Sequence, residues 1–229
     1  MTPPKPTKHR TVQLHPAPSQ AASNSYGIRI VHETPTWLIV SKPALLDSQN
    51  SRPDRPSVAQ FLEERYGYRG LVHRLDFGTS GLLLCAKTSA AAHDFSVLLQ
   101  NHKIERTYVA LIMGVPNASI VGAPITLPID DKPASTRFQI LQKFANATLV
   151  RVDLETGRKH QIRRHFSEIG HPLLGEVLYK KKGSQLMWYR PALHAEKLQF
   201  NYEGSQTFND PLPADFQELL KKLPQPPKT

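Results

Sequence analysis

At 229 residues the chain can bury one substantial core but is too short for a second independent globular domain. Its 29 Lys and Arg against 19 Asp and Glu give a formal charge of +10, which suits a polyanionic partner, with nucleic acid ahead of an anionic membrane. The single cysteine excludes an intramolecular disulfide framework and a Cys-based zinc site, and no run approaches the roughly 18 consecutive apolar residues of a membrane-spanning helix.

Residues 1–25 are rich in Pro, Ser and Ala and hold no acidic residue, and 223–229 are similar, so both ends read as disordered tails around a domain at 26–222. No apolar core follows the basic start, which argues against a secretory signal, and its repeated prolines argue against an amphipathic transit helix; a cytoplasmic address follows by default. Residues 27–31 and 37–41 read as short strands, the second ended by Lys42-Pro43. Ser57 caps a helix with Val58, Phe61, Leu62 and Tyr66 at helical spacing.

The segment from His73 to Ala86 then places one carboxylate, Asp76, in a polar turn just before an apolar strand at 82–86. A strand of that kind fixes the height of the turn, and His73 and Arg74 put positive charge beside the acid. Cys85, inside the apolar run, reads as a small buried hydrophobe. Thr88 caps a second helix through Gln100, with Ala91, Phe95, Leu98 and Leu99 on one face, and a strand spans 106–113. Residues 127–135 form a polar loop of the kind that binds or moves. Strands at 136–144 and 147–154 flank Ala145-Asn146, a spacing that predicts an antiparallel hairpin.

Residues 157–170 read as an amphipathic helix opened by Gly157 and ended by Gly170, with Ile162, Phe166 and Ile169 toward the core. Arg158, Lys159, His160, Arg163, Arg164 and His165 crowd it with positive charge, and a helix N-terminus at Gly157 adds backbone N–H groups to the same place. A phosphate backbone is the natural ligand for such a patch. A strand at 192–200 and a short helix near 215–220 complete the chain. Strands joined as hairpins, with few and unevenly spaced helices, point to a mixed sheet in an α+β domain.

Other chemistries fit less well. His160 and His165 are five apart, off the spacing that aims two imidazoles at one ion, so no metal is expected. No Gly-x-Ser-x-Gly elbow supports a serine nucleophile. His73-Arg74-Leu75-Asp76 inverts the kinase order His-Arg-Asp-Leu and lacks its following Asn.

A series of ordered motifs resembles the RluA-type pseudouridine synthases over about residues 27–216. They are Lys42-Pro43; His73-Arg74-Leu75-Asp76 with Thr79-Ser80-Gly81; Arg106-Thr107-Tyr108; Gly157-Arg158 with His160-Gln161-Ile162-Arg163; and Gly170-His171-Pro172 with Gly175 and Tyr179, followed by Leu193-His194-Ala195. The resemblance implies a mainly antiparallel sheet with flanking helices and a central basic cleft, and isomerisation of uridine to pseudouridine in RNA with no cofactor or metal; rRNA or tRNA is the expected substrate, and a monomer is the simpler expectation. It implies that Asp76 is the catalytic aspartate, that Tyr108 packs against the target base and that Arg163 pairs with the aspartate. It further implies that Arg74 helps displace the flipped uridine. Arg158, Lys159, His160 and Arg164 are the expected RNA contacts from the basic segment.

These residue types suit the chemistry. Flipping a nucleotide out of a helix costs a few kcal/mol, offset by phosphate contacts and stacking. Desolvation raises the pKa of a carboxylate, and a neighbouring guanidinium opposes that shift. Three routes are open to Asp76: attack on the ribose anomeric carbon, attack on the uracil ring, or abstraction of a sugar proton. Leu82, Ile162 and Leu198 are candidate walls for the detached base. The chain departs from the family pattern at Phe77-Gly78, which follows the aspartate, and at Gly175-Glu176, where relatives carry Gly-Asp. Lys180-Lys181-Lys182 reads as one more phosphate contact. A non-catalytic RNA-binding protein on the same fold is the alternative reading.

Overall fold

The computed structural model describes residues 25–50, 55–179 and 188–226. The basic tail at 1–24, Lys180 to Lys182 and the last three residues lie outside that set. Among the described residues, nine strands form one sheet. β1 (Arg29–Glu33), β2 (Trp37–Lys42), β4 (Ser80–Ala86), β8 (Leu193–Asn201), β5 (Ile104–Met113), β7 (Ala147–Leu154) and β6 (Thr136–Lys143) lie in that order. β3 (Gly70–Leu71) pairs with β4, and β9 (Ser205–Asn209) with β8. Among the described strands, β4 with β8 is the one parallel pair, in register through Ser80 with His194 and Gly81 with Ala195. The architecture is α+β with a mixed, mainly antiparallel sheet, as read from the sequence.

Alternation along the strands sorts the core onto two faces. Leu38, Val40, Leu83, Cys85, Ala110, Ile112 and Val150 meet α1 (Val58–Tyr66) and α3 (Gln161–Glu168) on one face. Trp37, Ile39, Leu82, Leu84, Phe200 and Leu198 meet Phe95 of α2 (Ser89–Gln100) on the other. Both α1 and α2 start as the sequence predicts. The Ser57 hydroxyl accepts from Gln60 N at 3.1 Å and the Thr88 hydroxyl from Ala91 N at 3.2 Å, each satisfying a free first-turn donor. Gly81 permits the parallel junction: its φ is +113°, and a Cβ there would lie 2.3 Å from the Ala195 carbonyl oxygen.

Three expectations need correction. α3 begins at Gln161, not Gly157, because His160 takes a left-handed φ of +55° and breaks the helical path. The preceding turn is held instead by the Gln161 side chain, whose Oε1 accepts from Arg158 N at 3.0 Å and from the Thr156 hydroxyl at 2.7 Å. Gly157 serves close packing: a Cβ there would meet Arg106 Nη1 at 2.7 Å. No helix N-terminus, and hence no anion site of that kind, stands at residue 157. Second, His165 is interior, 1% exposed and bonded to Thr136 and Leu127, and burial lowers its pKa, so it adds nothing to the basic surface. Third, packing runs past residue 222. Leu223 is buried against α4 (Ala214–Lys222) and its neighbours, and Ala145 N donates to Pro224 O at 3.0 Å. No helix among the described residues is long and apolar enough to cross a membrane.

Candidate active site

The turn that carries Asp76 is clamped from several sides, which fixes the acid at the foot of β4. The Ser48 hydroxyl donates to Leu75 O at 2.7 Å and accepts from Leu75 N at 3.0 Å. Leu45 N donates to Phe77 O at 2.8 Å, and Arg190 Nη1 to Gly78 O at 3.1 Å. Lys42, fully buried, donates its ammonium to Leu46 O at 2.7 Å and Pro43 O at 2.9 Å and lies 3.5 Å from Phe77 O. His73 is half-buried; desolvation of its ring and the charge of Arg106 push it down to about 3, so its neutral ring accepts from Leu84 N.

Across from this turn, α3 delivers Arg163 from its first turn. Nη1 donates to Asp76 Oδ2 at 3.2 Å. The rest of the guanidinium grips a second acid: Nε donates to Glu176 Oε2 at 2.7 Å and Nη2 to Oε1 at 2.9 Å. Burial opposes ionisation of the Glu176 carboxyl, but the Arg163 bonds and charge, with the amides of Leu178 and Tyr179, outweigh it and hold the pKa below the usual range. Arg163 likewise stays charged despite burial, through Glu176 first and Asp76 second. A guanidinium fixed at the back in a two-point grip presents its remaining donor to Asp76 in one direction. Glu176 was visible in the sequence only as a change from the family's Asp, with no periodicity or spacing to link it to Arg163.

Tyr108 comes from β5, on the same face as Ala110 and Ile112, and is 6% exposed. Desolvation raises its phenol above the ordinary value, opposed by Arg106 and reinforced by Asp76. Tyr108, Leu75, Leu154, Ile162 and Leu193 wall a recess of about 80 Å³ that also takes in Asp76, Arg163, Arg74 and His160. Ile162 is thus where the sequence reading put it. Leu82 and Leu198 are not, because strand alternation turns them to the opposite face, beside Trp37 and Phe95.

The recess adjoins a cleft of about 910 Å³ with which it shares Asp76, Arg74, Arg106, Arg158 and His160, and Lys159 lines the cleft alone. Arg74 reaches Gln49 at 3.2 Å and Arg158 reaches Pro133 O at 3.0 Å, both on the exposed surface. Arg164 lines neither cavity; its guanidinium pairs with Asp130 of the 127–135 loop at 2.8 Å. His160 places Nε2 at 3.6 Å from Asp76 Oδ1 and Nδ1 at 2.7 Å from the Tyr179 hydroxyl. The structure therefore gathers Asp76, Tyr108, Arg163, Arg74, Arg158, Lys159 and His160 around one opening.

At the foot of a basic cleft, Asp76 is thus held by the Arg163 guanidinium beside the buried Tyr108. Residues 36–168 match the family described as RNA pseudouridylate synthase, and the chain belongs to that family. Ribosomal large subunit pseudouridine synthase D of Nitrosomonas europaea is 38% identical over 175 residues, covering 67% of this chain and 51% of the relative. The Haemophilus ducreyi protein of the same name is 33% identical, covering 86% of this chain and 70% of the relative. Against the Nitrosomonas protein, then, the chain spans about half the relative's length. Human RNA pseudouridylate synthase domain containing 4 superposes with a TM-score of 0.69 at 22% identity, covering 86% of this chain and 94% of that one. Human domain containing 1 superposes at 0.67 and 22%, covering 91% and 99%. Both share the fold.

Proposed function

We propose that this chain isomerises uridine to pseudouridine in structured RNA, ribosomal or transfer, acting as a monomer without metal or cofactor. The reaction is balanced within one nucleotide: the bond from uracil N1 to the ribose anomeric carbon breaks, a bond from uracil C5 to the same carbon forms, C5 loses a proton and N1 gains one. Asp76 is the acid group that engages the extruded nucleotide. Arg163 fixes its orientation, and Tyr108 provides the flat wall against which the base rests and turns. Arg74 stands at the mouth, where a side chain can take the place of the flipped base in the stack. Arg158 and Lys159 hold the phosphate backbone, and Arg164 is a further candidate for that task.

The observation that carries this reading is the 3.2 Å approach of Arg163 to Asp76 inside a recess walled by Tyr108. An RNA duplex hides the glycosidic bond, so an enzyme acting there must extrude the base into a pocket of this kind. A non-catalytic RNA binder has no need of a guanidinium aimed at an acid behind an aromatic wall. RNA from a strain lacking the gene tests the proposal. Added wild-type protein should restore pseudouridine at one or a few positions, and Asp76→Asn should not. Binding of that RNA by both proteins with no modified uridine in either would leave the isomerase reading without support.

A further inference from the structure

We propose that His160 and Tyr179 form a positioning pair for Asp76, in which the Tyr179 hydroxyl fixes the imidazole through Nδ1 so that its Nε2–H faces the carboxylate oxygen that Arg163 leaves free. The inference deepens the isomerase reading and rests on it. Arg163 takes Oδ2 of Asp76 at 3.2 Å, and His160 Nε2 stands 3.6 Å from Oδ1, so the two side chains approach the acid from different oxygens. A contact of 3.6 Å is longer than a hydrogen bond; such contacts at unliganded sites commonly shorten when substrate closes the pocket.

Several independent features tie this pair to the acid rather than to phosphate. A neutral imidazole carries one N–H, and a ring nitrogen facing a carboxylate must be the one that bears it. With Nε2 protonated, Nδ1 is the acceptor and the Tyr179 hydroxyl at 2.7 Å is the donor. His160 also holds a left-handed φ of +55°, a conformation that non-glycine residues keep where the surroundings over-determine it, often at functional sites. That backbone turn sends the ring into the recess instead of out along the helix. Tyr179 is itself anchored. Its ring lies under the Arg163 guanidinium at 5.4 Å, its N–H reaches Glu176 Oε1, and its carbonyl accepts from the Ser167 hydroxyl.

The charges facing His160 support a neutral ring. Burial disfavours the imidazolium, Asp76 opposes that, Arg163 and Lys159 disfavour it further, and Glu176 opposes; the net shift is downward. A neutral ring is a poor phosphate ligand and a good orienting donor. The sequence grouped His160 with the basic residues on composition, and it noted Tyr179 only as part of a motif.

Two measurements on the full chain test the pair. In single-turnover assays at saturating protein, on RNA from the strain lacking the gene, His160→Asn keeps a residue tolerant of the left-handed backbone but shortens its reach. Its rate should fall about 100-fold, the scale of a misplaced reacting group, with RNA affinity unchanged. Tyr179→Phe should lose about tenfold, as for one hydrogen bond, and His160→Gln, whose amide can still donate toward Asp76, should recover part of the loss. Weakened RNA affinity with an unchanged saturated rate would make His160 a phosphate contact and overturn the proposal. Separately, long-range proton–nitrogen NMR on histidine-labelled protein, with the signal assigned by loss in His160→Gln, should show the Nε2–H tautomer at pH 7, and a mixture in Tyr179→Phe. An Nδ1–H tautomer, or no change in Tyr179→Phe, would likewise overturn it. If wild-type protein converts no uridine, the isomerase reading fails, while the NMR result still decides the pairing.

Discussion

Replacing Arg163 by Met keeps the bulk of the side chain and removes the charge that two acids share. Glu176 then stays buried with its Oε1 still accepting from Leu178 N at 2.8 Å, while Oε2 loses the 2.7 Å bond from Nε and Oε1 loses the 2.9 Å bond from Nη2. Breaking a buried ion pair by removing one partner costs about 3–5 kcal/mol, because the other charge is left uncompensated. Domains of this size have about 5–15 kcal/mol in total, so Arg163→Met should fold with much reduced stability. The pH dependence identifies the cause. In the wild-type protein the Glu176 pKa lies below its ordinary 4.5, so its contribution is present above that value and lost as pH falls through the folded one. In the variant, burial acts without Arg163 and the pKa rises above 4.5, so the penalty present at pH 7 is relieved as protons bind. Urea unfolding should therefore show a gap between the proteins that narrows from pH 7 toward pH 5, and Arg163→Met with Glu176→Gln should recover most of it. A gap below about 1 kcal/mol at pH 7, the scale of an exposed pair, or one that widens in acid, would refute the reasoning.

Other outcomes follow from the same geometry. Lys159 lines the cleft but not the recess, so Lys159→Ala should weaken RNA binding across sequences and lower the slope of log affinity against log salt by about 1, with the saturated rate of modification intact. Lys42 is pushed down to about 7 by burial, despite the attraction of Asp76 and Asp47, from an ordinary 10.5. The unfolded chain then binds more protons between those values, and stability should rise with pH from about 7 to about 10. Lys42→Met should flatten that rise in urea titrations; an equal rise in the variant would place its origin elsewhere. Gly81→Ala forces a Cβ to within 2.3 Å of the Ala195 carbonyl oxygen at a φ of +113°, so its denaturation midpoint should drop sharply, and by more than for Gly204→Ala, which carries the backbone strain of a φ of +107° but no clash within 4 Å.

Much of the fold was legible because local signals and tertiary packing agree. The caps at Ser57 and Thr88, the apolar run of β4 and the β6–β7 hairpin each carry their own pattern, and each formed as read. β9 did not announce itself: Ser205–Asn209 alternates exposed with half-buried residues and gains its pairing from β8. The start of α3 was misplaced because Gly157 suits both a helix start and a close approach, and only contact with Arg106 reveals the second. At the site, the pairing of Asp76 with Arg163 followed from motif resemblance. Glu176 and Tyr179 were legible only as letters in a motif, since their partners lie 13 and 19 residues away and no regular element connects them. The choice of Leu82 and Leu198 as walls failed on strand parity, which a sequence fixes only once the buried face is known.

The central claim is that the carboxylate of residue 76, aligned by Arg163, acts on an extruded pyrimidine, and release of the C5 hydrogen reports it most directly. RNA from the deletion strain, labelled with tritium at uridine C5, would be mixed with saturating wild-type or Asp76→Asn protein and quenched over time. Tritium should enter water with the wild-type protein and stay in the RNA with Asp76→Asn at equal binding. Release by Asp76→Asn at the wild-type rate would contradict the account.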